Sequence, residues 1–109
     1  MEGEDDVGPK DEMNEEQAEA LEKLLSSVKN LGLYNLSAMG ALAWQHLGLV
    51  PLPGKTGTAL DLEQAKLAID LFEANLNILS PHLDKEVQKQ LKRTLMDLQM
   101  NFVNKSKKQ

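Results

Sequence analysis

The sequence predicts an all-α protein, a small bundle of about four helices preceded by a disordered acidic N-terminal tail. The chain of 109 residues has room for one small domain. Hydrophobic residues make up 41% of the chain and aromatic residues only 4%, so the core must be built mainly from aliphatic side chains, as in packed helices. Apolar residues recur at helical spacing, and no segment shows the alternation of a half-buried strand.

Charge is distributed unevenly along the chain, whose formal net charge is −5. Residues 1–22 contain ten acidic residues and one lysine, whereas residues 84–109 contain seven basic and three acidic residues. The first 13 residues include too few apolar side chains to offset the entropy lost on ordering. We therefore expect a disordered acidic tail over residues 1–13, one helical domain over residues 14–104 and a basic C-terminal tail over residues 105–109.

We expect no export signal at the N-terminus, because its residues are acidic where such a signal is basic and then apolar. The chain contains no cysteine. This composition excludes disulfides, thiolate metal sites and a cysteine nucleophile, and it is compatible with a reducing compartment. We therefore expect a cytoplasmic protein.

The first helix is predicted to begin at Asn14, with Gln17 three residues later completing a capping pair. It is expected to run for about four turns and to end near Asn30 to Gly32. Its apolar stripe is predicted to contain Leu21, Leu24, Leu25 and Val28.

The second helix is predicted from roughly residue 33 to residue 47. It is apolar nearly all round, so we expect it to be buried. Its main stripe consists of Leu36, Gly40, Ala43 and Leu47. Since Gly40 and Ala43 lack bulk, they would let a neighbouring backbone approach closely.

The segment "GLVPLPGKT", residues 48–56, ends like a phosphate-binding P-loop. A P-loop has four residues between its two glycines, but five separate Gly48 from Gly54 here. The pattern before Gly48 is that of a helix rather than a strand, and Pro51 and Pro53 stiffen the segment. We therefore interpret it as an interhelical loop in which Gly48 ends the second helix.

The third helix is predicted to begin after Asp61, which with Gln64 repeats the capping pattern. Its broad apolar face is predicted to contain Leu62, Ala65, Ile69, Phe72, Leu76 and Leu79. A second apolar strip, about 160° away at 100° per residue, contains Leu67, Leu71 and Ile78. This helix therefore needs cover on two sides.

The last helix is predicted over residues 85–104, after a break at Ser80 and Pro81 and with Asp84 as its cap. Its main apolar stripe is predicted to contain Val87, Leu91, Leu95, Leu98 and Phe102. A smaller strip on another face contains Met96, Met100 and Val103. Three lysines are expected to follow the helix: Lys105, Lys107 and Lys108.

No constellation for catalysis or metal binding is recognisable. His46 and His82 are the only histidines, and neither has neighbours at the recurrent spacings of a zinc site. The available hydroxyl groups have local hydrogen-bonding roles, and acidic pairs such as Asp70 and Glu73 are on the polar face of a helix. We therefore expect a non-catalytic protein with no cofactor, no metal and no small-molecule substrate.

Three segments, "ALAWQHLGLVPLP", "LDLEQAKLAIDLFE" and "LMDLQMNFV", resemble in order and spacing a family of bacterial proteins catalogued as domain of unknown function 1844. The chain departs from that family in "NLNILSPHL", where a turn with Lys and Gly is usual, and in Gln99, where Arg is common. The resemblance implies a small helical cytoplasmic protein of bacteria. It implies no mechanism, because the family has no assigned activity.

The leading hypothesis is a protein-interaction module that forms a homodimer, since a single small bundle cannot easily bury both extra apolar strips. The candidate interface residues are Leu67, Leu71, Ile78, Met96, Met100 and Val103. The competing interpretation is that these residues complete the core of a monomer.

Two further hypotheses come from other classes of protein. The first is an RNA- or ribosome-associated accessory protein whose basic C-terminal residues contact phosphate, the candidates being Lys105, Lys107 and Lys108. The second is peripheral association with a membrane through the apolar second helix, which is too short and too polar to predict a membrane span.

Overall fold

The computed structural model describes residues 14–108, so the tail predicted over residues 1–13 lies outside the described residues. The described chain forms four α-helices: α1 (Glu15–Leu25), α2 (Val28–His46), α3 (Leu62–Leu79) and α4 (Lys85–Lys107). It contains no β-strand, and its only β pairing is one isolated antiparallel bridge between Leu47 and Leu60. The all-α prediction is confirmed.

Contacts divide the chain into two compact units. One ends at Leu31 and the other begins at Gly32, so the division falls within α2. The single domain expected over residues 14–104 stays a prediction.

Helix α1 begins with the predicted capping pair. Oδ1 of Asn14 accepts a hydrogen bond from the backbone N–H of Gln17 at 2.7 Å, and Oε1 of Gln17 accepts one from the N–H of Asn14 at 3.1 Å. Two backbone donors of the first turn are thereby satisfied. No residue of α1 is buried.

The predicted end of the first helix, near residues 30–32, is wrong. The helix stops at Leu25, where the Oγ of Ser26 donates to the carbonyl of Lys23 at 2.9 Å. The Oγ of Ser27 then accepts from the N–H of Asn30 at 3.2 Å, which starts α2. Serine side chains can form hydrogen bonds that replace those of the helical backbone. The spacing of apolar residues does not indicate such a break in a helix.

This earlier helix boundary changes the place of Val28. The apolar pattern predicts this residue on the stripe of the first helix, but it is the first residue of α2 and is 88% exposed.

The main stripe of α2 is buried as predicted: Leu36, Gly40, Ala43 and Leu47 are all enclosed. The expectation that the whole helix is buried is wrong, because Tyr34 and Leu42 on its other side are exposed. Helix α2 therefore has one buried face and one exposed face.

The C-terminus of α2 is closed by Gly48, as predicted. Gly48 has a φ of +78°, its N–H donates to the carbonyl of Gln45 at 3.0 Å, and the N–H of Leu49 donates to that of Trp44 at 3.1 Å. This pair of bonds is the Schellman motif, which favours glycine at the left-handed position. The loop returns at Asp61, whose N–H donates to the carbonyl of His46 at 2.7 Å.

Helices α3 and α4 form an antiparallel hairpin, joined through a 3-10 turn at Ser80–His82. The side-chain amide of Gln88 stabilises this turn, because it donates hydrogen bonds to the carbonyls of Ser80 at 2.6 Å and Leu83 at 2.9 Å. Asp84 occupies the predicted cap position of α4, but its side chain makes no capping hydrogen bond.

The core lies between α3, the second half of α2 and α4. Its buried residues are Leu36, Ala43, Leu47, Ala65, Ala68, Ile69, Phe72, Leu76, Leu79 and Leu98. Leu98 is the only fully enclosed residue of α4 in this core, and Leu91, Leu95 and Phe102 are partly buried against it.

Helix α4 continues beyond its predicted end at residue 104. Lys105 and Lys107 lie in its last turn, and Lys108 is its C-cap. Lysine is a good helix former, and its charge interacts favourably with the C-terminal end of the helix dipole. The predicted boundary between the domain and the basic tail therefore falls inside α4.

Candidate interaction surface

Both secondary apolar strips are exposed to solvent. On α4, Met96 is 62% exposed and Met100 60%, and Val103 is exposed as well. On α3, Ile78 is 72% exposed, and Leu67 and Leu71 are also exposed. Neither strip takes part in the core, so the second side of α3 has no cover within the described residues.

A groove of about 190 Å³ runs between α3 and α4 on one face of the hairpin. It is lined on α3 by Lys66, Ile69 and Asp70, and on α4 by Gln99, Phe102 and Val103. The sequence did not indicate this groove, because it depends on how two helices are rotated against each other.

The strip of α4 borders this groove. Val103 lines the groove directly. Met96 is three residues from Gln99, and Met100 is three residues from Val103, so at helical spacing both methionines lie on this side of the helix. We call Met96, Met100 and Val103 the α4 strip.

The strip of α3 lies beyond an ion pair. The Nζ of Lys66 donates to Oδ2 of Asp70 at 2.8 Å at the edge of the groove. Leu67 follows Lys66 directly and Leu71 follows Asp70 directly, so each leucine lies about 100° around the helix axis from its charged neighbour. The six candidate interface residues therefore occupy two separate faces, and of these residues Val103 of the α4 strip lines the groove.

The Lys66–Asp70 pair raises the pKa of Lys66. The main cause is the hydrogen bond from the ammonium group to Asp70, followed by the Coulomb attraction between the two charges. Both side chains are more than half exposed, so solvent screens this interaction.

Lysines continue the line of the α4 strip in both directions along the helix. Lys85, Lys89 and Lys92 precede Met96 at spacings of three and four residues, and Lys107 follows Val103 four residues later. At helical spacing these residues share one face of α4. That face therefore has an apolar middle with positive charge at both ends.

The three lysines proposed to contact phosphate do not form one patch. Lys105 and Lys107 are two residues apart in the last turn, which places them about 160° from each other around the helix. Lys105 is also partly buried, whereas Lys107 and Lys108 are exposed. Of the three, Lys107 alone belongs to the face that carries the α4 strip.

A second groove, of about 340 Å³, lies on the opposite side of the hairpin, between α2 and α4. Its lining includes Leu36, Trp44, Phe72 and Leu91. The second half of α2 packs on this side of the hairpin.

The loop 48–56 does not have the context of a P-loop. It follows α2 instead of a strand, and α3 begins only at Leu62. Gly54 has a φ of +77°, and a Cβ atom there would meet nothing within 4 Å. The loop geometry agrees with an interhelical turn.

Two hydroxyl groups, those of Ser26 and Thr94, are engaged with the backbone. Ser26 donates to the carbonyl of Lys23, and the Oγ1 of Thr94 donates to that of Gln90 at 3.1 Å. A serine or threonine activated for attack donates to a base instead. Among residues 14–108 no group of three or more His, Asp or Glu side chains is arranged to hold a metal ion.

Over the same part of the chain, none of the helices combines the length and apolar character needed to cross a membrane.

The chain was compared with family models, curated proteins and solved structures. Residues 36–104 match the family model described as Domain of unknown function (DUF1844). The match covers more than half of the chain and contains all three segments on which the resemblance rested. Neither the curated proteins nor the solved structures include a match.

Proposed function

The chain belongs to the DUF1844 family, whose description names no activity, and we propose from its surfaces that it is a non-catalytic interaction module that pairs with a second copy of itself. The observation that carries this proposal is the α4 strip. Two methionines and a valine lie in one line, mostly exposed, beside an open groove.

Burial of this strip against a partner would be favourable. Large apolar side chains contribute about 1.5–3 kcal/mol each when they are moved fully from water into an apolar contact. Methionine is flexible and polarizable, so it adapts to a partner surface. The core of the hairpin is small, which makes additional burial through association valuable for a domain of this size.

The non-catalytic part of the proposal is supported by the hydrogen bonds of Ser26 and Thr94 described above. Their hydroxyl protons are directed to backbone carbonyls.

The proposal is tested by the mass of the protein in solution. Sedimentation velocity and light scattering of the full chain, at concentrations from about 1 μM to 1 mM, are expected to show a concentration-dependent rise from monomer to dimer. A monomer mass over the whole range would contradict the proposal.

A second candidate function is association with RNA or another polyanion. The observation in its favour is the row of Lys85, Lys89 and Lys92 on one face of α4. Phosphate contacts of this kind release counterions, so binding should weaken steeply as salt rises. Glutamine at these three positions should abolish salt-sensitive retention on RNA, and glutamine at Lys105 and Lys108 should leave most of it.

A further inference from the structure

We infer that the dimer forms face to face across the groove between α3 and α4, with α4 of each copy lying over α3 of the other. This inference rests on the proposed function, because it assigns the surface and the orientation of the proposed pairing. It selects the α4 strip as the apolar contact and excludes the α3 strip of Leu67, Leu71 and Ile78.

Symmetry places the two helices opposite each other. In a twofold dimer the same surface is used by both copies, so residue i contacts residue j and j contacts i. Consider a twofold axis that is parallel to the helices and lies between two facing grooves. It places α3 of each copy over α4 of the other copy. Helix α2 does not obstruct this approach, since it packs against Phe72 on the other side of the hairpin.

The groove offers an apolar floor for the partner's methionines. Ile69, Phe102 and Val103 line it, and Met96 and Met100 project from the same open face of α4. In the facing arrangement each copy directs these methionines toward the other copy's groove. Both the methionines and the groove floor then leave water together.

The charges of the two helices are complementary. Lys66 and Asp70 line the groove. Glu63 lies three residues before Lys66 and Glu73 three residues after Asp70, so helical spacing places both glutamates on the same side of α3. The face of α4 carries four lysines on the line of the α4 strip. Opposite charges across the interface favour the pairing of α3 with α4 over the pairing of like helices.

Glu63 and Lys107 are the pair that this arrangement brings together most directly. Glu63 precedes Ile69 by less than two turns, and Lys107 follows Phe102 by a similar distance. Because the helices are antiparallel, both residues lie at the same end of the hairpin. A twofold axis parallel to the helices preserves that level, so Glu63 faces Lys107 of the partner.

The experiment compares dimer dissociation constants of full-length variants by sedimentation. Replacing Met96 and Met100 by serine should raise the dissociation constant by about tenfold or more, since buried anchors dominate such contacts. The matched control replaces Leu67 and Leu71 by serine on the other face and should leave the constant unchanged. Circular dichroism establishes that each variant keeps its helices.

A charge exchange tests the orientation. Glu63→Lys and Lys107→Glu should each weaken the dimer by about two- to fivefold, as expected for an exposed ion pair, and the two together should restore it. Absence of restoration would overturn the pairing of α3 with the partner's α4.

The outcomes separate this inference from the proposed function. A wild-type dimer that survives serine at Met96 and Met100 but is lost with serine at Leu67 and Leu71 overturns the inference and leaves the interaction module standing. A wild-type chain that stays monomeric overturns both.

Discussion

Gly40 of α2 packs directly against the ring of Phe72 of α3: a Cβ atom at Gly40 would lie 3.2 Å from the Cε2 atom of that ring. This distance is shorter than ordinary van der Waals contact. The glycine therefore sets how closely α2 approaches the hairpin.

Gly40→Leu should lower the free energy of unfolding by about 1–3 kcal/mol, because four added carbon atoms meet a ring that is already enclosed. Chemical denaturation monitored by circular dichroism measures this change. Asn35→Leu, on the exposed side of the same helix, serves as control and should stay within about 0.5 kcal/mol of wild type. Equal stability of the two variants would contradict the close packing.

Leu98→Ala should lower the free energy of unfolding by about 2–5 kcal/mol. Leu98 is 0% exposed and is the fully enclosed side chain by which α4 enters the core. Leu67→Ala removes the same atoms from an exposed position and should change stability by no more than about 0.5 kcal/mol in the monomer. Urea titrations of both variants at low protein concentration test the difference.

Gly48→Ala should destabilise the protein by about 1–2 kcal/mol, since an L side chain is strained at a φ of +78°. Gly57→Ala is the matched substitution in the same loop, at a position with no positive φ and nothing within 4 Å of a Cβ atom. It should be neutral or stabilising by up to about 1 kcal/mol. In thermal unfolding, the melting temperature of Gly48→Ala should lie below the wild-type value. That of Gly57→Ala should lie at or above it.

Asp61→Ala should cost about 0.5–2 kcal/mol, because Oδ1 of Asp61 accepts from the N–H of Gln64 at 3.1 Å and caps α3. Asp84→Ala should cost less, since Asp84 stands at the cap position of α4 without a capping hydrogen bond. Urea denaturation of both variants measures the two costs. A larger loss at Asp84 would contradict the capping geometry.

Lys66 should lose its proton at a pH above the usual range of lysine, because its ammonium group donates to Asp70. A group whose pKa is higher in the folded state stabilises that state below its unfolded pKa, and the contribution disappears as pH rises through the folded pKa. The pair should therefore support α3 at neutral pH and up to strongly alkaline pH. An NMR titration of the lysine side chains should show the pKa of Lys66 falling in Asp70→Asn.

Local sequence chemistry was sufficient for the ends of several helices. The bonds between Asn14 and Gln17, the cap at Asp61 and the glycine at residue 48 all occur where their residue types indicated. These features depend on a few adjacent residues, so no knowledge of distant contacts is required to find them.

The break between α1 and α2 was not predictable from periodicity. Apolar spacing runs through Ser26 and Ser27 without interruption, and both serines are compatible with a continuous helix. Their hydrogen bonds to Lys23 and from Asn30 appear only once the backbone has turned there.

The sequence by itself determined the helical class, most of the caps, the buried stripes of α2 and α3 and the existence of two spare apolar strips. These properties follow from residue type and spacing along one helix. Only the tertiary structure decided that the α4 strip borders a groove while the ion pair of Lys66 and Asp70 separates the α3 strip from it. The rotation of one helix against another is set by packing such as that of Gly40 on Phe72, and no pattern within a single helix contains it.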